Sequence, residues 1–260
     1  MNRYIQSRVP LGKDGLLPRT GLAIGQSAPH VLIPGDPHRS QIISTFFRDA
    51  EFTAHRGTCA TYTGHSNNGT PVGVTSSGMG ASCIYAALEE LADAGAKSVI
   101  RVGTCSAIQT ETAPGTLVIG SGCVRGEGAS YELVPPEFPA VADPYVVSAL
   151  MQAAQELGEN YIVGLYRSHD AFYMESRAAH PGLQERMQKW VDAGVLVVEN
   201  ESGTLYPSAH LLGLRAGCIC VALGTMFRPE MISSDLLPKR IEAASRVAIR
   251  AAEILEEVTK

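Results

Sequence analysis

The sequence is poor in tryptophan and in positive charge, and it contains no long apolar run. It has one tryptophan in 260 residues, and 21 lysines and arginines face 26 aspartates and glutamates, for a formal net charge of −5. This balance leaves no general electrostatic surface for nucleic acid. No stretch reaches the ~18 consecutive apolar residues of a membrane span, and residues 1–25 lack the apolar block of a signal peptide. We expect a cytoplasmic protein with no nucleic-acid or membrane partner.

Cysteine is present, but not in the spacing of a metal or disulfide framework. The six cysteines include no Cys-x-x-Cys pair. Cys218 and Cys220 lie two residues apart, so on a strand they point the same way. Such cysteines are typical of small apolar core residues in a reducing compartment. We therefore expect neither a disulfide nor a bound metal.

Short apolar runs alternate with amphipathic segments along the whole chain. This alternation predicts a single α/β domain over residues 1–260, in three layers, with a central mixed β-sheet flanked by helices. Residues 1–28 are expected to form an irregular N-terminal arm, and residues 124–142 a long surface loop. Asn67-Asn68-Gly69 predicts a hairpin turn. The main predicted strands are 30–34, 71–76, 98–102, 116–120, 161–165, 195–198 and 218–223, and the main predicted helices are 39–47, one ending near 95, 146–157, 183–192, 202–212 and 241–258.

The most informative stretch runs from Ile100 to Gln109. It places Arg101 on a strand that should be buried, followed by Gly103 and Thr104. A buried arginine needs an anion or a cage of carbonyl groups. Because glycine and a hydroxyl surround it, we interpret the stretch as one wall of a phosphate site, although a purely structural arginine would satisfy the same pattern.

Two further features could contribute to an anion site. Pro34-Gly35-Asp36-Pro37-His38-Arg39 is a strand end followed by a glycine turn and a helix start, which exposes backbone N–H groups and a guanidinium. Arg56 follows in a segment of mixed polarity. Taken alone, the first pattern is also that of an ordinary turn, and the second that of a solvated surface arginine.

Carboxylates and aromatic rings supply the remaining candidate contacts. Glu199 and Glu201 follow a buried strand and open a helix. A carboxylate there can accept both hydroxyls of a sugar diol, or it can simply favour the helix N-terminus. In His169-Asp170-Ala171-Phe172-Tyr173, the rings of Phe172 and Tyr173 could stack on a base or belong to the core.

Taken together, these segments resemble the nucleoside phosphorylases of the hexameric purine and uridine phosphorylase type. The resemblance runs from roughly residue 30 to 258, and its most specific parts are 34–39, 77–80, 101–104 and 199–202. It implies phosphorolysis of a nucleoside to a free base and (deoxy)ribose 1-phosphate. It also implies inorganic phosphate as co-substrate, no metal or organic cofactor, and homo-oligomers in which dimers that share active sites assemble into hexamers.

The resemblance also assigns roles to individual residues. Arg101 and Glu201 are the implied catalytic residues. The implied phosphate-binding residues are Gly35, Arg39, Arg101 and Thr104, with Arg56 supplied by a neighbouring subunit. The implied ribose-binding residues are Glu201, Asn200 and Met79, and the implied base-binding residues are Phe172, Ser176, Arg177 and Arg228.

The residues at the positions that would contact the base match neither the purine nor the uridine branch of the family. Purine enzymes place an aspartate after the last strand, but residues 220–225 contain no acid. Uridine enzymes read uracil with Gln-x-Arg, and here the glutamine position is Ser176. The residues around Thr104 resemble those of the uridine branch, so we expect a uridine-phosphorylase-like enzyme. The alternatives are a purine phosphorylase using Asp235 or Glu175, a nucleosidase that uses water, and a non-catalytic nucleoside- or phosphate-binding protein.

Overall fold

The computed structural model describes residues 9–174, 176–178 and 181–259. Within these ranges the chain forms ten strands and seven helices, which alternate along most of the sequence. The strands are β1 (His30–Leu32), β2 (Arg48–Arg56), β3 (Cys59–His65), β4 (Pro71–Thr75), β5 (Ser98–Ala107), β6 (Leu117–Val124), β7 (Ala140–Val141), β8 (Tyr161–Ser168), β9 (Val197–Glu199) and β10 (Arg215–Thr225). The helices are α1 (Pro37–Ser44), α2 (Ala81–Asp93), α3 (Ala129–Leu133), α4 (Pro144–Glu156), α5 (Leu183–Asp192), α6 (Ser202–Leu212) and α7 (Leu236–Thr259).

All ten strands join one mixed sheet, which forks at β5. One edge of β5 pairs with β10 along its whole length. The other edge pairs with β1 over residues 98–100 and with β9 over residues 106–107. Beyond β1 the sheet continues through β4, β3 and β2, whereas beyond β9 it returns through β8 and β6 to β10. The second branch is therefore a closed ring of five strands, and the fork leaves residues 101–105 of β5 unpaired by any described strand on one edge.

Helices cover both faces of the sheet and create two main cores. On one face, α2 and α6 bury Leu88 and Leu205 against the sheet. On the other face, α1, α4 and α7 bury Ile43, Leu150 and Val247. A smaller cluster lies under α5. The structure thus confirms the predicted α/β architecture with a mixed sheet between helical layers, and none of the described helices is long and apolar enough to cross a membrane.

The segment 124–142 is not the surface loop that its glycine and proline content predicted. It contains α3 and β7, and it buries Arg125 and Glu127. The Arg125 guanidinium donates to the carbonyl oxygens of Val134 (3.1 Å), Pro135 (2.7 Å) and Phe138 (2.9 Å). An arginine that binds the carbonyl groups of the loop after it makes that loop compact. No hydrophobic periodicity in the sequence indicates such a structure.

Candidate active site

The fork in the sheet creates the site. Because β1 stops pairing with β5 after residue 100, the carbonyl of Val102 has no strand partner on that edge, and the Nη1 of Arg39 donates to it at 3.3 Å. Asp36 caps α1 by accepting from the backbone N–H of His38 at 3.0 Å. This cap starts α1 directly after the glycine turn, and the helix then carries Arg39 back over the open edge of β5.

Glycines allow three backbone segments to meet beside this edge. The N–H of Gly78 donates to the carbonyl oxygen of Gly35 at 3.0 Å, which joins the turn after β4 to the turn after β1. A Cβ on Gly35 would lie 3.3 Å from the carbonyl oxygen of Gly78. The φ angles of Gly78 and Gly80 are +84° and +96°, a region that favours glycine. The turn at 77–80 therefore lies against the turn at 34–36.

Arg101 is the buried centre of the site. Its side chain is only 6% exposed, its Nη2 pairs with Glu201, and its Nε lies 3.4 Å from Oε2 of Glu199. Burial alone disfavours the charged guanidinium, but the two carboxylates outweigh it and raise the pKa of Arg101. Its Nη1 atom is buried and makes no hydrogen bond to any described residue. The same holds for Nε, so the guanidinium keeps donors that no described residue accepts.

A cavity of about 230 Å3 opens over this arginine. Arg39 lies on the same cavity, and its pKa is lowered, first by burial and then by the positive charge of Arg101. The Gly35 N–H and the Thr104 hydroxyl make no hydrogen bond to another described residue. Two neighbouring cations with free donors favour a bound anion. The cavity is lined by Gly35, Asp36, Arg39, Met79, Arg101, Thr104, Phe172, Asn200 and Glu201.

The two glutamates have different partners. Glu201 accepts the N–H of Gly80 at 2.7 Å and faces the cavity. Glu199 accepts the N–H groups of Glu201 (2.9 Å) and Ser202 (3.0 Å) and the hydroxyl of Ser168, so it caps α6 from within the core. Burial, followed by the charge of Glu201, raises the pKa of Glu199 to about 7. Glu199 therefore supports the helix start, and Glu201 presents its carboxylate to the site.

We expect the stability of the protein to depend on pH through Glu199. Its pKa rises from 4.5 to about 7 on folding, so the native state holds this proton more tightly than the unfolded state. The contribution of Glu199 to the free energy of unfolding is complete below its pKa in the unfolded state. It is lost as the pH rises through its pKa in the folded state. The Glu199→Gln variant has no titrating carboxyl group at this position, so its free energy of unfolding should fall less between those two pKa values. Denaturant unfolding at several pH values in that window tests this, and an unchanged slope in the variant would contradict it.

A second, larger cavity of about 390 Å3 adjoins the first. Thr104, Phe172 and Asn200 line both cavities, so the two spaces are adjacent. Its walls are mainly apolar and come from β5, β9, α5, the end of β10 and the segment that follows β10. They include Leu183, Val198, Leu223 and Met226, with Met174 and Tyr173 at the loop after β8. A mainly apolar cavity of this size can hold an organic ring.

Seven of the eight residues predicted for phosphate and ribose, together with Phe172, line the first cavity, whereas Arg56, Ser176, Arg177 and Arg228 do not. Ser176, Arg177 and Arg228 are exposed and line neither cavity. Arg56 lies on β2, where it pairs with Asp14 and donates to the carbonyl oxygen of Leu17 at 3.4 Å. The roles assigned to these four residues stay predictions.

The acids considered as substitutes for the missing purine-binding aspartate also lie elsewhere. Asp235 is exposed just before α7 and lines neither cavity. Glu175 lies outside the described residues. In the part of the chain that the structure describes, no group of three or more histidine, cysteine, aspartate or glutamate side chains is arranged to hold a metal ion.

Sequence reasoning missed the walls of the larger cavity. Leu183, Leu223 and Met226 lie on three separate segments, and a helix or strand pattern marks them only as core residues. It also missed the bond from the Asn200 side chain to the carbonyl oxygen of His169, which ties β9 to the end of β8. The one available signal was Asn200 itself, a polar residue between the two glutamates Glu199 and Glu201.

Residues 29–260 match the phosphorylase superfamily. A uridine phosphorylase of Thermococcus kodakarensis is 35% identical over 265 residues, which cover 99% of this chain and 93% of the relative. One of Treponema pallidum is 34% identical, covering 90% and 92% of the two chains. A guanosine phosphorylase of Halorubrum lacusprofundi is 33% identical, covering 86% and 92%.

Solved structures agree with the sequence relatives. The crystal structure of a uridine phosphorylase from Vibrio fischeri superimposes with a TM-score of 0.83 at 26% identity, covering 95% of this chain and 100% of that one. A second crystal structure of that enzyme, complexed with 6-hydroxy-1-naphthoic acid, gives a TM-score of 0.82 at 27% identity, covering 93% and 97%. With the family match over nearly its whole length and relatives above 30% identity, the chain belongs to the phosphorylase superfamily.

Proposed function

We propose that this protein catalyses phosphorolysis of a nucleoside, in the manner of a uridine phosphorylase, and releases a free base and (deoxy)ribose 1-phosphate. One observation carries the proposal: two arginines, Arg39 and Arg101, and the carboxylate of Glu201 share one cavity that opens into a larger apolar pocket. An anion, a sugar diol and a flat base each have a matching surface there. The uridine and guanosine phosphorylase relatives support the same reaction.

The three substrate parts occupy neighbouring positions in this proposal. Inorganic phosphate binds the guanidinium groups of Arg39 and Arg101, the Gly35 N–H and the Thr104 hydroxyl. The ribose lies between the phosphate and the base, where Glu201 accepts its hydroxyls, and Met79 and Asn200 form the surrounding walls. The base enters the apolar pocket beside Phe172.

The reaction then depends on position and charge. A phosphate oxygen attacks the anomeric carbon while the bond from that carbon to the base nitrogen breaks, and the bonding electrons leave with the base. The sugar carries developing positive charge, which the dianionic phosphate and Glu201 stabilise. The proton of hydrogenphosphate accounts for the N–H of the released base. Inorganic phosphate is the co-substrate, and no cofactor takes part in these steps.

We further propose that the active protein is a cytoplasmic homo-oligomer, a hexamer built from dimers with shared sites. The six cysteines are all free, as in proteins of reducing compartments. Arg56 does not line the cavity of its own chain, and 33% of its side chain is exposed. In a dimer this arginine would complete the phosphate site of the neighbouring subunit.

Complementation tests the shared site. We expect Arg56→Ala and Glu201→Gln to be weak enzymes separately, and their co-expression to restore activity. In a mixed dimer one site receives both intact residues, so random mixing should recover about a quarter of wild-type activity. If the mixture never exceeds the sum of the separate variants, Arg56 acts in its own subunit or not at all.

A nucleoside panel tests the function itself. Uridine, cytidine, inosine, guanosine and adenosine are each incubated with and without phosphate, and released base and sugar 1-phosphate are followed. We expect turnover only with phosphate and sugar 1-phosphate in equal amount to base. Turnover of purine but not pyrimidine nucleosides with phosphate would favour a purine phosphorylase, and one relative is a guanosine phosphorylase. Base release without phosphate would identify a nucleosidase, and binding without release would identify a binding protein.

A further inference from the structure

One polar side chain of the larger cavity has no role in the reaction described above. His169 lies at the end of β8, is 7% exposed, and lines that cavity. Its Nδ1 atom lies 2.9 Å from the carbonyl oxygen of Ala171. A carbonyl oxygen only accepts, so Nδ1 must carry the proton. The neutral ring therefore keeps a lone pair on Nε2.

The Nε2 atom is left as an acceptor on a side chain that lines the cavity. It makes no hydrogen bond to any described residue. The Asn200 side chain donates to the His169 backbone carbonyl, and the Ala171 contact holds the ring, so its orientation is fixed from two sides. Burial lowers the pKa of His169, which favours the neutral ring.

The surroundings make this acceptor selective. Leu183, Leu223 and Met226 form much of the wall and offer no hydrogen bond from their side chains. A buried acceptor that faces a ligand without a donor remains unpaired, which costs binding free energy. A ligand nitrogen with its own lone pair is rejected more strongly, because two acceptors then face each other.

We propose that Nε2 of His169 selects nucleosides whose base presents a lactam N–H. Such bases are uracil, hypoxanthine and guanine, and the disfavoured ones are cytosine and adenine, whose matching ring nitrogen carries a lone pair. The inference rests on the proposed function, since it concerns the base pocket of that reaction. His169 is a specificity-determining residue, and it provides the base contact that Ser176, Arg177 and Arg228 do not provide in this structure.

The test compares matched substrate pairs in matched variants. The ratio of kcat/KM for inosine over adenosine, and for uridine over cytidine, is measured for the wild type, for His169→Phe and for His65→Phe, an exposed control remote from the cavity. Hydrogen-bonded sites discriminate by one to several powers of ten, so we expect wild-type ratios of about 10 or more. His169→Phe should lower them about 10-fold, and His65→Phe should leave them unchanged.

Each outcome decides the proposal. The proposal would be overturned if the wild type had equal kcat/KM values for the two members of each pair, a result that needs no variant. An equal loss on both members of each pair in His169→Phe would also overturn it. Dissociation constants for the same nucleosides are measured in parallel. If no nucleoside turns over but inosine still binds more tightly than adenosine, the selection by His169 stands and the proposed reaction fails. If binding shows no preference either, both fail.

Discussion

Arg101→Ala is expected to lower kcat/KM for phosphorolysis by at least about 10³-fold. The substitution removes a guanidinium that lines the cavity and whose Nη1 makes no hydrogen bond to any described residue. It also leaves Glu199 and Glu201 without their shared cation, both nearly fully buried. Breaking a buried ion pair by removing one partner costs about 3–5 kcal/mol. The variant should therefore lose stability as well as phosphate affinity.

The two effects can be separated. Arg101→Lys keeps a positive charge but loses the planar fork that binds two groups at once, so it should restore part of the stability and little of the activity. Phosphate affinity by titration, denaturant unfolding and steady-state rates are measured on both variants. Full phosphate-dependent turnover by folded Arg101→Ala would mean that phosphate binds elsewhere.

Glu201→Gln is expected to have the second largest effect, a loss of about 10²- to 10³-fold in kcat/KM. Glutamine keeps the shape, and its carbonyl oxygen can still accept the Gly80 N–H. It loses the negative charge that pairs with Arg101 and that, in the proposed reaction, binds the sugar hydroxyls and stabilises the cationic sugar. The loss should be greater for uridine than for 2′-deoxyuridine, because the ribose diol makes the additional contact.

A matched control separates this effect from the general loss of a buried acid. Glu253 is 7% exposed and binds Arg250 at 2.8 Å on α7, remote from both cavities. Glu253→Gln should leave kcat/KM nearly unchanged, because Glu253 lines neither cavity. An equal loss for uridine and 2′-deoxyuridine in Glu201→Gln would contradict contact with the diol.

Local patterns were enough to predict much of the fold. Helix α5 and helix α6 begin and end at the predicted residues, 183–192 and 202–212, and Gly213 follows the second as its C-cap. The turn at Asn67-Asn68-Gly69 joins β3 and β4 as predicted. Strand β5 instead extends five residues beyond the predicted end at 102, because β10 pairs with it throughout. Such pairing involves a strand more than a hundred residues away and leaves no local signal.

The candidate site also contains a part that local motifs predicted and a part that they did not. Gly35, Arg39, Arg101 and Thr104 lie in short motifs whose spacing follows from strand, turn and helix geometry, and they meet at one cavity. The larger cavity is built from side chains of separate segments, and the polar contact proposed there depends on a histidine tautomer fixed by a backbone carbonyl. Neither feature has a motif, and of the predicted base-binding residues only Phe172 lines that cavity.

The most direct test of the central claim is the identity of the product. The wild-type protein is incubated with uridine and inorganic phosphate, and phosphorus NMR follows the phosphate signal. We predict a new sugar 1-phosphate resonance that grows in step with free uracil, and no uracil without phosphate. Release of uracil with free ribose, and an unchanged phosphate signal, would contradict the phosphate site at Arg39 and Arg101.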